Sequence, residues 1–115
     1  MNYKNIKNLI GSEVKVKIDR PLGSKHPEYD YIYPVNYGFI EGIKAPDGDD
    51  LDAYVLGINV PLKEFEGVCI AIIKRDDDED DKLIVVPKGK DFSDKEIISL
   101  IKFQEKFFKS IVCRS

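Results

Sequence analysis

The apolar residues of this chain recur with two different periods. In "EVKVKID", Val14, Val16 and Ile18 alternate with Lys15 and Lys17, and a period of two predicts a half-buried strand ending at Asp19. The following "RPLGSKHPEYD" carries two prolines and a glycine and is expected to be a loop. "YIYPVNYGFIEGI" is rich in aromatic and β-branched residues, with Pro34 predicting an edge strand or a bulge because proline cannot donate to a ladder. "AYVLGINV" predicts another strand. "GVCIAIIK" and "KLIVVP" predict two strongly apolar strands joined as a hairpin through the acidic run "RDDDEDD".

The period then lengthens. "FSDKEIISLIKFQEKFFKSIV" opens with Ser93 as N-cap and Glu96 three residues on, a capping box. Ile97, Leu100, Ile101, Phe107, Phe108 and Ile111 fall on one broad face of a helix running through that segment. About five short strands followed by one amphipathic helix predict a mainly β (α+β) domain over residues 1–115, a small closed or nearly closed barrel with the helix packed on it.

Composition narrows the function. Of 115 residues, 43% are hydrophobic and 34% charged, which is the balance of a globular chain rather than a disordered one. A formal net charge of −3 argues against coating a polyanion, so no nucleic-acid partner is expected. Cys69 and Cys113 stand far apart without metal-ligand spacing and are expected to be free thiols in a reducing compartment. "MNYKNIKNLIGSE" has no apolar signal-peptide core, and no apolar run reaches the roughly 18 residues of a membrane span, so a cytoplasmic location is expected.

The chemistry concentrates in "APDGDDLDAY". Asp47, Asp49, Asp50 and Asp52 lie within six residues, and like charges at that spacing repel unless a cation sits among them. Carboxylate oxygens suit a hard cation such as Mg²⁺. Asp47 and Asp49 share a side of an extended segment, Gly48 permits a tight turn, and Asp52 returns at the start of a strand. From the residues alone a solvated acidic turn stays equally open, because P-D-G is turn chemistry in its own right. An EF-hand loop beginning at Asp47 fails, since its sixth and twelfth positions are Asp52 and Ile58 rather than glycine and glutamate. Upstream, Tyr33 and Tyr37 bring phenols able to donate to phosphate oxygens; downstream, Lys82 stands at the mouth of an apolar strand.

Taken in order, "YPVNYGFI", "DGDDLD" and an acidic loop leading into "KLIVVP" resemble the family I (soluble) inorganic pyrophosphatases. Asp47, Asp49, Leu51 and Asp52 fit that family's acidic signature, and Asp50 departs at its fourth place. The resemblance implies a five-stranded OB-type barrel with a helix alongside. It also implies hydrolysis of inorganic diphosphate to two phosphates with Mg²⁺ (Mn²⁺ serving equally by ligand type) and no covalent intermediate. It places Asp47, Asp49 and Asp52 on metal, with Asp49 also accepting a proton from the attacking water. Asp19, Asp80 and, more loosely, Asp76 become further metal ligands. Tyr37 and Lys82 become phosphate contacts, with Tyr33 beside them. A homo-oligomer is expected on the same ground.

The resemblance has gaps. Only "LGSKHPEYDYI" occupies the interval where relatives carry a hairpin with phosphate-binding cations, so Lys25 is expected to replace one of them and Arg20 is a weaker candidate. Phe108-Lys109 stands where the family has a tyrosine–lysine pair. His26, the sole histidine, is expected to be a surface loop residue. A non-catalytic or relaxed-specificity module binding a metal–diphosphate or nucleotide is therefore the alternative function. An OB-type binder of single strands ranks last, because acidic loops repel a phosphate backbone.

Overall fold

The structure is a computed structural model and describes residues 3–45, 48–75 and 81–114. A 3₁₀ helix, Tyr3–Leu9, leads into β1 (Glu13–Arg20), β2 (Asn36–Lys44), β3 (Asp50–Val55), β4 (Glu64–Arg75) and β5 (Lys82–Val86). The helix α1 (Asp94–Glu105) and a short strand β6 (Ser110–Cys113) complete the chain. Strand β1 pairs antiparallel with β2, β2 with β3, and β4 with β5. Strands β3 and β5 run parallel, and β1 also pairs with β4, which closes the five strands into a barrel. This is the expected OB-like architecture. The alternating Val14–Ile18 segment, the β4–β5 pairing and the Ser93–Glu96 cap all appear where the sequence pattern put them.

Alternation along the strands separates two apolar clusters. Val16, Ile40, Leu51, Ala53, Val55, Leu83 and Val85 point into the barrel, where Ile6 and Leu9 of the 3₁₀ helix join them. Tyr54, Ile84, Val86 and Ile73 point outward and pack under Ile97 and Ile101 of α1. A register shift between Cys69 and Ala71 in β4 turns the strand by one residue. Cys69 therefore faces the barrel interior while Ala71, two residues on, packs in the outer cluster. Asn36 is fully buried at the head of β2. Its Oδ1 accepts from the Leu22 and Leu62 amides at 2.9 and 3.0 Å and its Nδ2 donates to the Val60 carbonyl at 2.9 Å, so one side chain ties two loops to the barrel.

Three expectations are corrected. Pro34 precedes β2 instead of interrupting it, and the irregularity of that strand lies between Ile40 and Lys44. The segment "AYVLGINV" is a strand only as far as Val55. The C-terminal helix stops at Glu105, so Phe107, Phe108 and Ile111 are not on its apolar face; all three are exposed, as is Leu100. The chain turns there because β-branched Ile111 and Val112 find an open ladder on β4, pairing opposite Lys74 and Ile73. Among the described residues, no helix is long and apolar enough to cross a membrane.

Candidate functional site

Barrel alternation also decides which polar side chains meet. Because Leu51 and Ala53 fill the barrel, Asp52 between them must face outward; Lys82 faces outward for the same reason, one residue before Leu83. The parallel register sets Asp52 directly opposite Lys82. The Lys82 ammonium lies 2.9 Å from Asp52 Oδ2, and the Tyr37 hydroxyl donates to the same oxygen at 2.8 Å. Lys82 is 1% exposed, so the lysine is held in a fixed place, its stem packed away from water.

This trio lines one wall of a cavity of about 340 Å³, with Asp19, Arg20 and Tyr33 also on its lining. The protein packed around Asp19 raises its carboxyl above the usual carboxylate range; Arg20 opposes that rise and the charge of Asp52 adds to it. Burial likewise pushes the Tyr33 phenol well up, keeping it a neutral hydrogen-bond donor at ordinary pH.

Beside the trio sits a network the strand pattern did not announce. Tyr31 and Tyr33 donate to Gln104 Oε1 at 2.9 and 3.0 Å, Gln104 Nε2 donates to the Tyr54 hydroxyl at 2.8 Å, and that hydroxyl donates to Glu105 Oε2 at 2.5 Å. Glu105 is gripped by Arg75 through Nε at 3.0 Å and Nη2 at 2.8 Å, with both side chains 5% exposed. The guanidinium also lies 3.6 Å from the centre of the Phe108 ring. Gln104 and Glu105 follow Ile97 and Ile101 at helical spacing, so two polar residues on an apolar face were the available signal for this network.

Of the residues singled out in the sequence, Tyr33, Tyr37, Asp19, Asp52 and Lys82 share the cavity. Asp49 is exposed on the turn into β3, and Asp50 pairs with Lys44 at 2.6 Å. Lys25 stands apart from the cavity lining and pairs with Asp30 at 3.3 Å, whereas Arg20 is on the lining. Asp47, Asp76 and Asp80 lie outside the described residues. His26 belongs to the loop as expected but also lines the cavity; its Nδ1 accepts the amides of Glu28 and Tyr29 at 3.0 and 3.1 Å.

Among the described residues no three His, Cys, Asp or Glu side chains converge as a metal site. Two carboxylates, Asp19 and Asp52, nevertheless face one cavity, and an all-oxygen donor pair fits a hard divalent ion better than a soft one.

The molecule is thus an OB-type barrel with a buried lysine, a tyrosine and two carboxylates facing one outer cavity. Residues 5–112 match the family model for inorganic pyrophosphatase, and the chain belongs to that family. The inorganic pyrophosphatase of Aeropyrum pernix is 38% identical over 79 residues, covering 65% of this chain and 42% of that protein. The inorganic pyrophosphatase of Gluconobacter oxydans is 36% identical over 88 residues, covering 70% of this chain and 51% of its own. The chain thus spans about half the length of these relatives. A crystal structure of inorganic pyrophosphatase from Ehrlichia chaffeensis superimposes with a TM-score of 0.67 at 22% identity, over 89% of this chain and 84% of that one. One from Neisseria gonorrhoeae gives 0.60 at 24%, over 100% and 86%. At those identities the likeness is one of fold.

Proposed function

We infer that the chain hydrolyses inorganic diphosphate to two phosphates with Mg²⁺, water being the nucleophile and no covalent intermediate forming. The observation that carries this is the Lys82–Asp52–Tyr37 trio on the cavity wall of a chain belonging to this family. Asp52 and Asp19 would hold the metal, together with Asp49 on the turn into β3 and, by the sequence motif, Asp47, Asp76 and Asp80. When bound, Mg²⁺ supplies positive charge against the diphosphate and makes water a stronger nucleophile.

The chain's own groups do the rest. Asp49 accepts the proton of the attacking water. The water oxygen bonds to one phosphorus as the bridging P–O bond breaks, and its electron pair leaves with the second phosphate. Lys82 places a hydrogen-bond donor where that negative charge grows, and the Tyr37 hydroxyl, on turning from Asp52, places a second. Because Lys82 is buried and fixed by Asp52, little reorganisation accompanies the step.

Phosphate release from inorganic diphosphate and Mg²⁺, measured for the wild type beside Asp49→Asn and Lys82→Met, tests this. Losses on the order of 10²–10³ in each variant are expected, as for removal of one transition-state partner. Background release from the wild type removes the enzyme reading.

One observation favours the alternative of binding without turnover. Between Pro21 and Ile32 the residues on the cavity lining are His26, Tyr29 and Tyr31, with no lysine or arginine among them. Calorimetric binding of diphosphate without phosphate release supports that second reading.

A further inference from the structure

The far wall of the cavity is unlike the near one. Tyr29 and Phe107 line it while remaining 54% and 55% exposed. Their rings stack 17° from parallel with centres 5.7 Å apart, and Tyr31 lies 8° from the plane of Tyr29 and 21° from that of Phe107. Three nearly parallel rings from two separate segments give this wall an aromatic platform, with the His26 ring tilted against Tyr29 and Tyr31 at 4.9 and 5.0 Å. Phe107 reaches it only because α1 ends at Glu105 and the chain turns back over the site.

Inorganic diphosphate has no apolar surface and gains nothing from such a wall. A cavity of about 340 Å³ falls in the range of organic ligands, roughly 300–1,000 Å³. Ring contacts run without a break from the platform to the phosphate end: Phe107 to Tyr31 at 6.3 Å, Tyr31 to Tyr33 at 5.8 Å, Tyr33 to Tyr37 at 5.5 Å. Tyr37 in turn bonds Asp52, the partner of Lys82. One end of the cavity therefore suits charge and the other suits a π-face.

We propose that this cavity takes a diphosphate bearing an aromatic base, a nucleoside 5′-diphosphate, with the base on the Tyr29–Tyr31–Phe107 platform and the diphosphate at Lys82 and Tyr37. The proposal rests on the diphosphate reading above and names its substrate class. Stacking is the recognition used, because every nucleobase offers a π-face whatever its edge pattern. The platform selects for a base over none and discriminates weakly among bases.

The probes are the non-hydrolysable adenosine 5′-(α,β-methylene)diphosphate and methylenediphosphonate, titrated calorimetrically with Mg²⁺ into the wild type, Tyr29→Ala/Phe107→Ala and Lys82→Met. The nucleotide analogue is expected to bind about tenfold or more tightly than methylenediphosphonate, the worth of one stacked base. The double alanine variant abolishes that advantage and leaves methylenediphosphonate unchanged; Tyr29→Phe/Phe107→Tyr restores it. Both pairs of substitutions are at exposed positions, and unchanged melting temperatures confirm that they fold. Equal affinity of the two probes, or an advantage that survives the alanines, overturns the proposal. If methylenediphosphonate binds in a Lys82-dependent way while the base adds nothing, only the platform assignment fails. If neither probe binds, the diphosphate reading fails with it.

Discussion

Glu105→Gln tests the buried pair between α1 and β4. In the folded protein Glu105 accepts two bonds from Arg75 and one from Tyr54, with both members of the ion pair 5% exposed. The substitution keeps the shape of the side chain and removes its charge. The guanidinium of Arg75 then loses the charge of Glu105 while still buried, and breaking a buried pair from one side costs about 3–5 kcal/mol. Against a total stability of roughly 5–15 kcal/mol that is a large fraction. For a chain of this size it corresponds to a fall in melting temperature of about 12–20 °C, at about 4 °C per kcal/mol. Urea unfolding followed by circular dichroism gives the free energy directly. Replacing both partners with apolar residues, Arg75→Met/Glu105→Leu, should recover most of the loss, because a buried pair and a well-packed apolar pair of similar volume are often nearly equivalent. A Glu105→Gln protein within about 1 kcal/mol of the wild type, the surface-pair scale, refutes the reasoning. So does a double variant as unstable as the single one, which would place the loss in packing rather than in the Arg75–Glu105 charge pair.

Three further outcomes are expected. A Cβ built on Gly38 meets the Lys17 carbonyl oxygen at 1.9 Å and its carbon at 2.7 Å, both backbone atoms, so Gly38→Ala should push β1 off β2 and cost about 3 kcal/mol; an unchanged urea midpoint contradicts this. Burial pushes the Cys69 thiol up to about 11 from 9.0, so the unfolded chain ionises first as pH rises. Its contribution is complete below pH 9 and lost by about pH 11, worth roughly 2–3 kcal/mol; the stability gap between wild type and Cys69→Ala should therefore shrink across that window, and a constant gap counts against it. Ser93 accepts the Glu96 amide at 3.1 Å while Glu96 accepts the Ser93 amide at 2.9 Å, so Ser93→Ala should cost about 1 kcal/mol by thermal melting and Ser93→Asp should retain most of the cap.

Local signals in the sequence were legible and long-range ones were not. The alternation around Val16 and the Ser93–Glu96 pair depend on neighbours within a few residues, and both appear in the structure. The end of α1 does not: residues 106–112 continue a helical spacing of apolar side chains, and only the open ladder of β4 diverts Ile111 and Val112 into a strand. Asn36, read simply as part of an aromatic-rich strand, proves to hold two loops that lie 14 and 26 residues away. In the candidate site, Asp52, Tyr37 and Lys82 were picked out by motif. Arg75, Gln104 and Glu105 carry no local motif, because their partners lie 30 or more residues distant. Lys25 has the charge and loop position expected of a phosphate contact, yet it stands off the cavity lining and pairs locally with Asp30.

The parallel register of β3 and β5 has a consequence for assembly. Asp52 and Lys82 are 30 residues apart, and a parallel neighbour can be reached only by crossing over, here by way of the whole of β4. No hairpin intermediate brings the acid and the amine together. The Asp52–Lys82 end of the cavity therefore comes into being with ring closure, and a partly folded chain has strands yet lacks this juxtaposition. Any molecule that grips both groups pulls the equilibrium toward the closed state alone, by about 2.7 kcal/mol at a hundredfold excess over its dissociation constant.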